Sequence, residues 1–134
     1  MSETLKVLET RRSCRAYKTQ LIEEEKLQAI IKAGTYAATG MGRQSPIIIA
    51  VTNKEMRDKL SAMNAKIMGQ GDGFDPFYGA PELLIVLANK DMPTYIYDGS
   101  LVMGNLMNIS KSGIRNISMT YFQRFGVQIP VHQE

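Results

Sequence analysis

Four basic side chains stand close together near the N-terminus, Arg11, Arg12, Arg15 and Lys18, in the run TRRSCRAYK at 10–18 with Ser13 and the chain's one cysteine, Cys14. A guanidinium group grips phosphate through two parallel N–H donors and a hydroxyl adds a third, so Arg11, Arg12, Ser13 and Arg15 form a set that can hold one phosphomonoester. Charge alone leaves other readings open: a solvated face, or a nucleic-acid patch. Arg11 and Arg12 also fall where a first helix should end, and cations there are favoured by the helix macrodipole. No second basic run and no basic motif interleaved with aromatics follows, which argues against a polynucleotide partner.

Other chemistries find no support. The one histidine, His132, is far from Cys14 in sequence, and nucleophilic hydrolysis needs a base beside its nucleophile. A lone cysteine permits no internal disulfide and no paired ligand spacing, so a reducing, cytoplasmic setting and no metal are expected. Asp72, Asp75, Glu82, Asp91 and Asp98 are scattered and read as solvation and turn chemistry. The glycines at 69, 71 and 73 suggest a dinucleotide fingerprint, but Phe74 takes its last place and the segment follows a helical pattern, where that fingerprint follows a strand. Cys14 reads as a small packed apolar residue, and Phe77 and Tyr78 as aromatic loop packing.

The elements that must position the arginines can be read from periodicity. With 134 residues, 44% apolar, 22% charged and a net charge of +3, the chain suits one folded domain over 1–134. No apolar run approaches the roughly 20 residues of a membrane span, and the N-terminus has no secretory apolar stretch. Ser2 can cap a helix over 3–12, which places the arginines at its C-terminal end. A second helix is predicted over 23–37, with Leu27, Ile30, Ile31 and Gly34 as its buried stripe. The segment TGMGRQSP at 39–46 is an irregular loop feeding PIIIAVT, an apolar, β-branched run that suits a buried strand. A third helix over 54–68 precedes the long loop GQGDGFDPFYGAP, and ELLIVLAN at 82–89 is a second strand. The last helix should begin near Tyr97 or Asp98. Its Leu101, Val102, Met103, Leu106 and Met107 cover more than one face, which suggests burial against both the core and a partner subunit.

Taken in order, LETRRSCRAYK, AGTYAATGMGRQSPIIIAVTN, DPFYGAPELLIVLANKD and PTYIYDGSLVMGNLMN resemble the nitroreductase family of flavin enzymes over residues 5 to about 114. The resemblance implies an α+β fold, a central mostly antiparallel sheet flanked by helices, in an intertwined homodimer with FMN at the subunit interface. It implies hydride uptake from NADH or NADPH and ping-pong transfer to nitroaromatic, quinone or related small-molecule acceptors. Carried over by position, Arg11, Arg12, Ser13 and Arg15 match the FMN phosphate and ribityl contacts. Thr39, Gly40, Gly42 and Gln44 match the loop that approaches the flavin ring from the partner subunit, and Asn64 matches an asparagine near that ring. Gln44 also reads as a residue bonding only its own loop, and Asn64 as an ordinary helix residue. The resemblance names no general acid, because the flavin carries the hydride and solvent can supply protons.

The match breaks after the last helix. Relatives continue with a glycine-rich strand whose backbone meets the flavin, whereas GIRNISM at 113–119 carries Arg115 where the second glycine would stand, and a close backbone approach leaves no room for such a side chain. Residues 115–134 therefore read as a divergent tail and the fold as incomplete at the C-terminus, by a naturally short form, a disrupted gene or a truncation. Ile117, Met119, Tyr121 and Phe122 can supply a replacement strand or helix. The alternative function is a degenerate, non-catalytic flavin-binding dimer.

Overall fold

A computed structural model describes residues 2–13, 15–110 and 117–121, so the expectations placed on Cys14, Arg115, Phe122 and His132 lie outside the described residues. The first helix, α1 (Glu3–Thr10), starts where Ser2 Oγ accepts from the Leu5 N–H at 3.3 Å. Helix α2 (Glu24–Thr35) opens with Glu24 and Glu25 in its first turn, where the dipole favours them. A single 3-10 turn at Gly40–Gly42 leads to strand β1 (Ile47–Val51). Helix α3 (Lys54–Ile67) begins at Asn53, whose Oδ1 accepts from the Met56 N–H at 2.9 Å. Strand β2 (Glu82–Leu87), helix α4 (Tyr95–Ser110) and strand β3 (Ile117–Tyr121) complete the described elements.

The strands lie in the order β1-β2-β3, with β2 central. β1 runs antiparallel to it, Ile47 opposite Leu87 and Val51 opposite Leu83, and β3 runs parallel, Glu82 opposite Ile117. Because side chains alternate across a strand, β2 sends Leu84 and Val86 to one face and Leu83 and Ile85 to the other. Leu84 and Val86 pack with Leu27, Ile30, Val102 and Leu106 of α2 and α4, while Leu83 and Ile85 meet Val51, Phe77 and, half-buried, Leu60 of α3. Strand β2 is thus covered on both faces. On the first side α2 comes so near that a Cβ on Gly34 would lie 2.7 Å from both Ile48 Cδ1 and Leu106 Cδ2.

Apolar side chains stay uncovered on α1, α4 and β1. Helix α1 buries no residue, and Leu5 and Leu8 are about half exposed. On α4 the side opposite Val102 and Leu106 shows Tyr97 and Leu101 to solvent. Strand β1, expected to be buried, instead exposes Ile47 and Ile49, which lie on the face of Leu87 and Ile85 where no described element covers this end of the edge strand. Helix α4 begins at Tyr95, two residues ahead of the sequence expectation. The segment before α2 is tied to the sheet by Glu82, only 3% exposed, whose Oε2 accepts from the Ile22 N–H at 2.9 Å.

Candidate functional site

The arginine segment leaves α1 in extended backbone, with the Arg11 N–H still bonded to the Val7 carbonyl at 3.0 Å. Arg12 turns back on the helix: its Nη1 donates to the Glu9 carbonyl at 3.0 Å and the Arg11 carbonyl at 2.8 Å. Both are acceptors at a helix end, so the Arg12 side chain caps the C-terminus of α1, whose C-cap residue is Arg11. Ser13 and Arg15 are exposed, and Arg11 is half-buried. Arg15 stands over the Tyr78 ring, 6.0 Å from its centroid, which joins the basic run to the aromatic loop at 69–81.

That loop is organised by one carboxyl group. Asp75 accepts from Arg57 Nη2, from Ser61 Oγ at 2.7 Å, and from the backbone N–H groups of Phe77 at 3.1 Å and Gly79 at 2.7 Å. Arg57 also donates through Nε to the Ala80 carbonyl at 2.8 Å, and its guanidinium lies 5.6 Å from the Phe77 ring centroid. Burial by itself pushes the Asp75 carboxyl up, but the bonds from Arg57, Ser61, Gly79 and Phe77 together outweigh it and bring it to about 2. Held this way, the chain carries Tyr78 at φ 54°, a left-handed conformation unusual for a bulky residue, and leaves its ring half exposed beneath Arg15.

The glycine loop forms a second centre. Thr39 Oγ1 accepts from the Gln44 N–H at 2.9 Å and closes the loop on itself. Inside, Met41, Gly42 and Gln44 all have positive φ, at 56°, 64° and 52°. Gly40 donates its N–H to Asp98 Oδ1 at 2.9 Å, and Asp98 Oδ2 accepts from Thr94 Oγ1 at 2.9 Å. Just beyond the loop, Ser45 Oγ is buried with no hydrogen-bond partner among the described residues. Asn64 sits on the inward face of α3, 3% exposed, and its Nδ2 donates to the Leu60 carbonyl at 2.8 Å. Among the described residues no cluster of three His, Cys, Asp or Glu side chains could hold a metal ion.

A sequence model described as the nitroreductase family matches residues 8–109, most of the chain and all of the elements from the arginine run to α4. The chain belongs to the nitroreductase family. A curated relative in Archaeoglobus fulgidus, named as a candidate NADH dehydrogenase/NAD(P)H nitroreductase, is 33% identical over 98 residues, which is 73% of this chain and 52% of that protein. Among solved structures, a Desulfitobacterium hafniense nitroreductase with bound FMN is 30% identical with a TM-score of 0.76, and a Bacteroides fragilis nitroreductase with bound FMN is 26% identical with a TM-score of 0.76. Each alignment covers 84% of this chain and 66% of the solved one. The chain therefore spans about half the length of that curated nitroreductase and just under two thirds of these solved ones.

The nitroreductase residues picked out by sequence resolve into three groups. Arg15 meets the aromatic loop, Thr39 to Gln44 form the left-handed loop on α4, and Asn64 lies on the inward face of α3. Ser13 and Arg15 are exposed, and the Ser45 hydroxyl, without a partner among the described residues, keeps hydrogen-bonding capacity beside the glycine loop, donors of the kind an FMN phosphate and ribityl chain would use. Asp75, Glu82 and Asp98, read from sequence as solvation and turn residues, are instead the acceptors that fix the loops and the entry to α2. Only for Asp75 does the sequence carry a signal, because an Asp two residues before an amide in a proline- and glycine-rich turn is an Asx-turn pattern. The partners of Glu82 and Asp98 lie 60 and 58 residues away.

Proposed function

We propose that this member of the nitroreductase family is an FMN-dependent oxidoreductase of the cytoplasm, moving reducing equivalents from NADH or NADPH to a nitroaromatic, quinone or related small acceptor. The observation that carries the reading is the intact RRSCR run at the end of α1, in a fold that superposes on nitroreductases solved with FMN. Arg11, Arg12, Ser13 and Arg15 bind the phosphate and ribityl chain through charge-assisted hydrogen bonds. Arg12 exchanges its two carbonyl acceptors for phosphate oxygens, which are stronger acceptors for a guanidinium. Thr39, Gly40, Gly42 and Gln44 present loop backbone and side chains to the ring, and Asn64 orients it from α3. The redox chemistry is that of bound FMN, in a ping-pong cycle with the nicotinamide in the first half and the acceptor in the second.

The working unit is a homodimer with two sites and no nucleic-acid partner. Leu5 and Leu8 on α1 with Tyr97 and Leu101 on α4 supply the apolar surface that a second copy would cover. The test is anaerobic addition of NADH or NADPH to the FMN-loaded protein, followed by a quinone or nitroaromatic. Bleaching of the flavin band and its return with acceptor is the expected result. A flavin band that binds but never bleaches would make the protein a non-catalytic flavin binder.

A further inference from the structure

We infer that Asp98 is a positioning residue that sets the shape of the 39–44 loop and thereby the face this loop offers to the flavin ring; the second half of that statement rests on the flavin reading above.

The loop does not hold this shape by local preference. Three of its residues are left-handed, two of them Met41 and Gln44, and side chains other than glycine avoid that region. Its internal bonds are the Gln44 N–H to Thr39 Oγ1, the Gly42 N–H to the Thr39 carbonyl at 3.0 Å and the Arg43 N–H to the Gly40 carbonyl at 3.3 Å. All of these close the loop on itself and none fixes it to the domain. Asp98 does so. It is 2% exposed in the first turn of α4, one oxygen accepting the Gly40 N–H and the other accepting Thr94 Oγ1.

The fit at this point tolerates no side chain. A Cβ on Gly40 would collide with Thr94 Oγ1 and stand 3.0 Å from Thr94 Cβ, which is bonded to the backbone and does not move with the side-chain rotamer. Glycine at 40 therefore lets the loop backbone come down onto the Thr94–Asp98 pair. With its base fixed, the loop carries Met41 86% exposed and turns Arg43 and Gln44 outward. A buried carboxyl whose two oxygens each bind a different segment is spent on geometry, and the geometry it fixes belongs to residues assigned to the ring and not to those assigned to the phosphate.

Three variants of the full chain separate the possibilities. Asp98→Ala removes both acceptors, Asp98→Leu fills the space without accepting, and Asp98→Asn keeps an acceptor for the Gly40 N–H while donating to Thr94. In flavin-free protein, tryptic cleavage after Arg43 is measured against cleavage after Lys54, an exposed lysine outside the loop. The expected result is cleavage after Arg43 faster by about tenfold relative to Lys54 in the Ala and Leu variants, and within about twofold of the parent in Asn, because an orphaned buried N–H costs on the order of a factor of ten. General destabilisation would raise both sites together and would overturn the assignment.

Binding of FMN and of riboflavin is then titrated for each variant. Affinity for both should fall by the same factor in Ala and Leu and recover in Asn, since the lesion is at the ring. A selective loss of FMN, or unchanged binding of both flavins with a loosened loop, would overturn the ring-positioning role. A parent protein that binds neither flavin would overturn the flavin reading and that role with it, whereas the cleavage series would still decide whether Asp98 holds the loop.

Discussion

The Arg57 guanidinium and the Asp75 carboxyl, 18 residues apart in sequence, form an ion pair whose arginine side chain is 10% exposed, and together they give the aromatic loop its shape. Arg57 fixes the start of β2 through the Ala80 carbonyl, while Asp75 takes the N–H groups of Phe77 and Gly79. Tyr78 is held between those two amides and meets Arg15. A structural ion pair inside α3 and its following loop thus reaches the basic run proposed to hold phosphate.

Asp75→Asn should destabilise the protein by about 2 kcal/mol, because it leaves a nearly buried guanidinium with the longer, more exposed Asp58 contact as its one remaining carboxylate among the described residues. Urea denaturation at neutral pH measures this. A loss below about 0.5 kcal/mol would mean that the pair is compensated by solvent.

The same carboxyl sets an acid limit. Its value in the folded protein, about 2, lies below the 3.8 ordinary for an aspartate, so the stability it contributes is present above that ordinary value and is lost as pH falls through about 2. The amount at stake is roughly 2 kcal/mol. Denaturation midpoints taken from about pH 5 down to 2 should fall steeply in the parent and more gently in Asp75→Asn; parallel curves would contradict the assignment.

Glu82 behaves in the opposite sense. Burial pushes its carboxyl up, Glu24 adds to the rise, and the Ile22 N–H opposes it. A raised carboxyl gives stability that is complete below its unfolded value and is lost as pH rises through the folded one. Glu82→Gln keeps an acceptor for Ile22 without a buried charge, so it should melt at the same temperature as the parent or higher near neutral pH. That advantage should vanish below about pH 4, where both side chains are neutral. A loss of more than about 1 kcal/mol at neutral pH would show that the charge itself is needed.

Gly34→Ala tests the packing of α2 on the sheet. Alanine favours the helix by about 1 kcal/mol, but its Cβ would stand 2.7 Å from Ile48 Cδ1 and Leu106 Cδ2, and Leu106 is wholly buried. Overpacking of this kind costs about 1–3 kcal/mol, so the variant should lose about 1 kcal/mol net. Ile48→Val, which removes the offending Cδ1, should recover part of the loss in the double variant. Simple additivity of the two would argue that the contact is not the cause.

Much of this architecture is legible in the sequence because its signals are local. Ser2 caps a helix, Leu27, Ile30 and Gly34 mark one helical stripe, and the apolar run in ELLIVLAN marks a strand. Helix α4 starts ahead of the expected place, with Asp98 inside its first turn as an acceptor for a distant loop. Strand β1 misled, since an apolar run does not reveal which of its faces the fold covers. In the candidate site, the arginine run and the glycine loop are visible as composition. The carboxyls that fix the loops are not, because an acidic residue carries no mark of an amide some 60 residues away.

The central claim is that the arginine run holds the phosphate of FMN, and the direct measurement is a comparison of FMN with riboflavin by flavin fluorescence quenching, in the parent, Arg11→Ala and Arg12→Ala. The account predicts that the parent prefers FMN by about a hundredfold or more, and that each variant loses roughly tenfold or more of that preference while riboflavin binding stays unchanged, since each charge-assisted bond contributes about 1.5–3 kcal/mol. Equal affinity of the parent for both flavins, or a preference for FMN that survives in both variants, would contradict it.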